Sequence, residues 1–474
     1  MSSSKPPLLS HLPLFTFAIF PFWHVNPSLD NIYGGSAKII STEFSGNARN
    51  ISRQSPLKSA ASLHWKKGVK PFISGHLILY HEYNILPVLS ILKFYICPLV
   101  KLFAVVIASV MVENREYLTQ QLITYIGNKR ALLHFIGDGI KIVQNKLGKT
   151  KLSIFDAFSG SGVVSRYCKQ FAELLIANDL EKYSALISEC YLANKSAINM
   201  NRLNDYYCYL IDKAENNLQS GIIRELYAPA DETNIQADDR VFYTIRNAQY
   251  IDTMRQLIDT IPKDEQNFFL APLLSEASIH ANTSGVFKGF YKNKKTGIGQ
   301  FGGLNEDALF RITGNIKLPF PLFSNFETDV MICNGNTNEI IKTLPEVDVA
   351  YLDPPYNQHP YGSNYFMLNL ILDYTYPPSI SKISGIPDNW NRSDYNRENH
   401  AYSSLSDLVS NIKAKYVLIS FNSEGFIKQD EMKVMLNRMG KVDVIETKYN
   451  TFRGSRNLNN RDIHVKEYLY LLEK

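Results

Sequence analysis

The stretch Lys151-Leu-Ser-Ile-Phe-Asp-Ala-Phe158, followed at once by Ser159-Gly-Ser-Gly162, decides how this chain is read. An apolar run of strand length ends in a glycine-rich turn, and Val163–Phe171 behind it has helical spacing. Leu174–Ala177 gives a second short strand, and a helix is expected from about Glu181 to Asn199. Strands and helices alternating in this order build a parallel α/β sheet. Strand-type runs return at Val347–Leu352, Tyr416–Phe421, Val442–Glu446 and Val465–Leu472. Between the two sets, Arg240–Ile261 and Gln266–Ala281 read as amphipathic helices, and the Gly- and Lys-rich Asn282–Asn305 as loop or hairpin. The sheet is thus expected to be split by an insertion over 205–325.

Residues 1–110 read differently. Apolar bursts lie among scattered Pro and Ser without a sustained period, and the first burst lacks the small-residue cleavage site of a signal peptide. The stretch Pro87–Val112 is long enough for a bilayer, but Lys93, Pro98 and Lys101 interrupt it. The expectation is an extension outside the fold, disordered or not native, with Met111 as the natural start. The whole chain has 474 residues, 45% hydrophobic and 20% charged, which suits a globular protein of two or three domains. Its net charge of +5 permits a nucleic-acid partner without requiring one. The five cysteines (Cys97, Cys168, Cys190, Cys208 and Cys333) form no C-x-x-C pair, which argues for a reducing compartment. His280, His359 and His464 share no metal-ligand spacing, so no metal is expected.

Three motifs carry chemistry. The turn Phe158-Ser-Gly-Ser-Gly162 can bring backbone N–H groups up to a ligand, or can serve plain strand–helix packing. Val164 stands where a third glycine would complete a dinucleotide fingerprint, which argues against a nicotinamide enzyme. Asp179, about twenty residues on, can accept from ribose hydroxyls or cap the following helix. Asp353-Pro354-Pro355-Tyr356 closes the strand Val347–Leu352. A carboxylate, a proline carbonyl and an aromatic ring supply two acceptors and a stacking face, which is what a planar –NH2 group on a base needs.

The order Tyr125-Ile-Gly-Asn-Lys129, Phe158-Ser-Gly-Ser-Gly162, Asp179 and Asp353-Pro-Pro-Tyr356 resembles the S-adenosylmethionine-dependent DNA adenine-N6 methyltransferases. The likeness is to the group in which the cofactor motif precedes both the recognition region and the Asp-Pro-Pro-Tyr motif. It runs from about Glu116 to Lys474 and includes Tyr416–Gly425 and Arg453-Gly-Ser-Arg456. It implies a Rossmann-like methyltransferase sheet with helices on both faces, formed by 111–204 and 326–474. The mainly helical insertion 205–325 would then be the target-recognition domain. It also implies that Tyr125 and Lys129 contact the cofactor, that Phe158, Ser159, Gly160 and Gly162 hold its methionine part with Asp156 just before them, and that Asp179 holds the ribose. Asp353, Pro354, Pro355 and Tyr356 would be catalytic. Asn336 departs from the pattern, because relatives often carry Asp there.

Adenine's exocyclic amine is a poor nucleophile, so alignment and fixed acceptors must supply much of the rate. The base must leave the stack to be reached, and Tyr356 would stack on it. Lys288, Lys292, Lys294 and Lys295 lie in an acid-free, aromatic-interleaved stretch suited to phosphate contact. Lys448, Arg453, Arg456 and Arg461 form a second such stretch. The expected partner is double-stranded DNA, the protein being either the modification half of a restriction–modification system with a cognate restriction endonuclease or a solitary methylase. The expected state is a cytoplasmic monomer without a membrane. Cytosine-N4 or RNA adenine methylation, and a non-catalytic DNA-binding relative, are the competing readings.

Overall fold

The computed structural model describes residues 112–303, 308–450 and 464–474. The expected extension 1–110, the bilayer-length stretch but for Val112, and Arg453, Arg456 and Arg461 lie outside the described residues. Among those described, seven strands form one sheet in the order β3-β2-β1-β4-β5-β7-β6. They are β1 (Leu152–Asp156), β2 (Ala172–Asp179), β3 (Asp329–Asn334), β4 (Val347–Leu352), β5 (Ala414–Asn422), β6 (Lys441–Asn450) and β7 (His464–Glu473). The first five run parallel, and β7 is antiparallel to both β5 and β6. The strand order reverses between β1 and β4, so the ends of these two strands open on one crevice, the place where such sheets bind ligands.

Alternation along the strands gives the sheet two cores. On one face Leu152 and Ile154, Val349 and Tyr351, and Leu469 and Leu471 meet α1 (Leu133–Leu147) and α2 (Val163–Cys168). On the other, Phe155, Ala350 and Leu352, and Tyr468 and Tyr470 form a separate core that includes Leu405, Leu408, Met432 and Leu436. Each fully buried side chain of this kind contributes about 1.5–3 kcal/mol. A third core belongs to helices: α3 (Lys182–Tyr191), α4 (Met200–Asn216), α5 (Ile245–Ile258), α6 (Lys263–Ile279) and α7 (Phe366–Asp373). The expected insertion is therefore helical, and its apolar residues share one core with α3 and α7. On the second sheet face lie α8 (Glu398–Asn411) and α9 (Gln429–Asn437).

Some expected elements differ. The helix read over Glu181–Asn199 ends at Tyr191, and only a single 3-10 turn, Lys195–Ala197, follows before α4. Asn194 is tied to Thr328 in both directions, and Asn199 starts α4 by accepting from Arg202 N at 3.1 Å. The helix read from Arg240 begins at Ile245, because Thr244 caps it through Asn247 N. Strand β3 was not expected: its apolar run Val330–Cys333 is only four residues long, and as an edge strand its residues are exposed or half-buried. Among the described residues no helix is long and apolar enough to cross a membrane.

Candidate active site

The turn after β1 is built on missing side chains. Gly160 has φ +52° and Gly162 has φ +75°, both in the left-handed region that favours glycine. A Cβ at Gly160 would stand 2.8 Å from the Tyr125 ring. The turn is tied to the end of β2: Gly160 N donates to Asp179 Oδ2 at 2.8 Å, Ser159 N to Asn178 O at 2.9 Å, and Ser184 Oγ to Gly160 O at 2.6 Å. Tyr125 packs against both Tyr361 and Tyr365, each ring centroid 4.9 Å away, and these two rings stack on each other at 6.0 Å. Tyr361 donates to Ile126 O, and Ile126 N donates to the Tyr365 hydroxyl, so the segment carrying Tyr125 and Lys129 is fixed to the chain just beyond Asp353.

Asp156 is fully buried beneath this turn, where its Oδ2 accepts from Ser165 Oγ. Burial pushes its carboxyl up to about 7. It does not line the crevice and props the turn from below. Gly162 likewise serves as the N-cap of α2. Asp179 holds the turn with one oxygen and accepts from Glu181 N at 2.9 Å with the other. Glu181, not Asp179, is the N-cap of the helix Lys182–Tyr191, while Asp179 lines the crevice.

The end of β4 is built on buried charge. Ala157 N donates to Tyr351 O at 3.0 Å, which sets the two turns side by side. Asp353 Oδ1 stands 3.1 Å from Lys129 Nζ, and Lys129 also donates to Glu467 Oε1 at 2.7 Å. Burial raises the Asp353 carboxyl to about 6, Lys129 opposes that rise and Glu467 adds to it. Lys129 keeps its charge because the two carboxylates outweigh its desolvation. Pro354 is buried, and neither it nor Tyr356 lines the cavity that Asp353 and Pro355 reach. The Tyr356 ring meets Phe421 edge-on at 5.7 Å and has Lys129 Nζ 5.4 Å from its centroid.

One cavity of about 450 Å³ joins the two turns. Tyr125, Lys129, Phe158, Ser159, Gly160, Asp179, Asp353 and Pro355 all line it. Its far wall was not read from the sequence. There Asn338, Tyr395 and Asp407 form a chain: Tyr395 donates to Asn338 Oδ1 at 2.8 Å, and Asn338 Nδ2 to Asp407 Oδ2 at 2.8 Å. Tyr395 also meets Phe158 edge-on at 5.1 Å. Asn336 caps the helix Thr337–Ile340 by accepting from Asn338 N, a job that Asp could do equally well. Glu181 was missed too. Its Oε2 accepts from Asn369 at 2.7 Å and Asn391 at 3.3 Å, and burial with neighbouring Asp179 lifts it to about 7. Asn396 holds the loop after Tyr356, donating to Asn357 O at 2.8 Å and His359 O at 3.2 Å.

The lysines expected to meet phosphate are exposed: Lys288, Lys292, Lys294 and Lys295 project from 288–300, a hairpin closed by Lys292 against Gly299. Asn282 fastens it to the helical region through Val241 O and Gln300 O. Phe287 N donates to Asn364 O at 2.7 Å, which brings the start of the hairpin to the chain beyond Asp353, and burial, with Lys288 nearby, lowers the basicity of His359. Lys448 is exposed on edge strand β6, opposite Lys466. Among the described residues no three His, Cys, Asp or Glu side chains converge as a metal site.

The sequence profile of the D12 class N6 adenine-specific DNA methyltransferases matches residues 125–435. The chain is 29% identical over 366 residues to Type II methyltransferase M.NlaIII of Neisseria lactamica, covering 74% of this chain and 99% of that one. It is 28% identical to Type II methyltransferase M.CviAII of Paramecium bursaria Chlorella virus 1, covering 74% and 98%. Modification methylase StsI of Streptococcus sanguinis is 25% identical, with 74% of this chain matching 52% of its length.

Proposed function

The chain belongs to the D12 class N6 adenine-specific DNA methyltransferase family, and from that premise we propose that it methylates the N6 amine of an adenine flipped out of duplex DNA, with S-adenosylmethionine as donor. The observation that carries this reading is the single cavity running from the glycine turn after β1 to Asp353 after β4. A volume of about 450 Å³ lies within the ordinary range for cofactor sites. The lining suits an adenosyl sulfonium: a side-chain-free turn at Gly160, a carboxylate at Asp179, tyrosine rings at Tyr125 and Tyr361, and acceptors in the far wall. S-adenosylmethionine would supply a methyl group made electrophilic by positive sulfur.

The chain's own residues would do the rest. Asp353 and the Pro354 carbonyl accept from the two N6 hydrogens, which frees the nitrogen lone pair from the ring and directs it at the methyl carbon. Transfer of the methyl group to N6 would leave the amine with one proton too many, and that proton would pass from Asp353's hydrogen bond to water. Asp353 must be ionised to accept, and a pKa near 6 leaves it so at neutral pH. The Tyr356 ring supplies a stacking face for the base. Lys288, Lys292, Lys294, Lys295 and Lys448, with Arg453, Arg456 and Arg461, would neutralise phosphates. The helical region over 205–325 would read the target, supported by the hairpin's tie to Asn364. The kinship to Type II methyltransferases and a modification methylase supports work within a restriction–modification system, in the cytoplasm beside the DNA.

Methylation-sensitive sequencing of DNA from cells expressing the protein tests this. N6-methyladenine at one recurring sequence is expected. N4-methylcytosine, or methylation confined to RNA, would overturn the substrate.

A further inference from the structure

Beneath Asp353 lies a second carboxylate that methyl transfer, as derived above, does not use. Glu467 is on β7, opposite Asn422 of β5, and is fully buried. Its Oε1 accepts from Lys129 Nζ at 2.7 Å and from Ser420 Oγ at 2.6 Å, while its Oε2 is buried without a hydrogen-bond partner. The same Lys129 ammonium lies 3.1 Å from Asp353 Oδ1. One buried cation thus serves a fully buried and a half-buried carboxylate, and its hydrogen bond goes to the one farther from the cavity. Stability does not ask for this, because a buried ion pair is often no more stable than an apolar replacement. An unpaired oxygen on Glu467 makes the arrangement costlier still.

Resting on the methyl-transfer reading, we propose that Glu467 is a positioning residue for Asp353: by drawing Lys129 toward β7, it keeps the Asp353 carboxylate from being consumed in a full ion pair. The Asp353 side chain, 16% exposed, then keeps acceptor capacity for an incoming amine. The charged and titratable groups that face Asp353 are Lys129 from the segment before α1, Glu467 from β7, Asp156 from β1, Tyr351 from β4 and Tyr361 beyond the motif. Of these, Lys129 favours the ionised form of Asp353, and Glu467 opposes it. The sign follows. Neutralising Glu467 leaves Lys129 wholly to Asp353, which makes Asp353 more acidic and ties it down.

The test is the pH dependence of kcat/KM for duplex DNA methylation by the full chain, with S-adenosylmethionine affinity measured beside it. The unaltered protein should lose activity as pH falls through about 6. In Glu467→Gln that limb should move down by about one pH unit, and the plateau should fall roughly tenfold with cofactor affinity retained. In Lys129→Met the limb should move the opposite way, by about one unit or more. A limb unmoved in Glu467→Gln, or a plateau loss that tracks loss of cofactor affinity, overturns the proposal. Should Glu467→Gln not fold, Ser420→Ala reads the same chain of contacts. Without that hydroxyl Glu467 draws harder on Lys129, so the limb should rise by a few tenths of a unit, and an unmoved limb again overturns the proposal. Absence of DNA methylation in the unaltered protein would instead defeat the methyl-transfer reading.

Discussion

The two turns that meet at the sheet's switch point are made by opposite means. The turn after β1 works by subtraction: Gly160 and Gly162 adopt left-handed backbone, and Gly160 leaves room for the Tyr125 ring. The turn after β4 works by stored charge, with half-buried Asp353 against buried Lys129 and Glu467. A cradle of backbone has little to titrate and is broken by bulk. A buried carboxylate tolerates its neighbours' size better than their charge. The difference predicts that damage to the first turn shows as lost cofactor binding, and damage to the second as lost chemistry and an altered pH profile.

The largest expected effect is on the charged side. Asp353→Ala should cut the methylation rate about 10³-fold, a loss like that of one preorganised polar group at a reacting centre. Binding of S-adenosylmethionine, followed by calorimetry, should persist. On the backbone side, Gly160→Ala puts a Cβ 2.8 Å from the Tyr125 ring on a residue with φ +52°. The left-handed strain alone is about 1–2 kcal/mol, so cofactor affinity should fall at least tenfold, with the pH profile unmoved. A variant that lost rate at saturating cofactor but kept affinity would break the contrast.

Acidification should also separate the two regions. Asp353 needs its charge, so the rate should fall as pH drops through about 6, and a stopped assay from pH 5 to 9 would show it. The smallest effect is expected at the surface. Lys294→Ala with Lys295→Ala should weaken DNA binding and reduce the salt dependence of log K by about 2, leaving cofactor affinity and the acid limb alone.

How much of this could be read from the sequence follows the same division. Both turns were legible because each is a short contiguous string at a strand end, and their strands carry continuous buried residues. Their adjacency was legible only through the resemblance; in the structure it comes from β4 pairing with β1 across nearly two hundred residues. Glu467 and Ser420 could not be found, since Glu467 looks like a solvated charge beside Lys466 and Ser420 like one polar residue in an apolar strand until β5 and β7 pair. The far wall was hidden for another reason. Asn338, Asn391 and Tyr395 lie in polar stretches without period, and Asp407 on the exposed side of α8, so all four read as ordinary surface. Asp156, expected to touch the cofactor, supports the turn from beneath, because strand alternation directs it away from the cavity.

The most direct measurement is transfer of labelled methyl from S-adenosylmethionine to duplex DNA, followed by hydrolysis to nucleosides, with the unaltered protein and Asp353→Ala compared at saturating cofactor. Label should appear in N6-methyladenosine's deoxy form with the unaltered protein and fall about 10³-fold with the variant, which still binds the cofactor. Label in cytosine, or full transfer by Asp353→Ala, would contradict the division of work between the two turns.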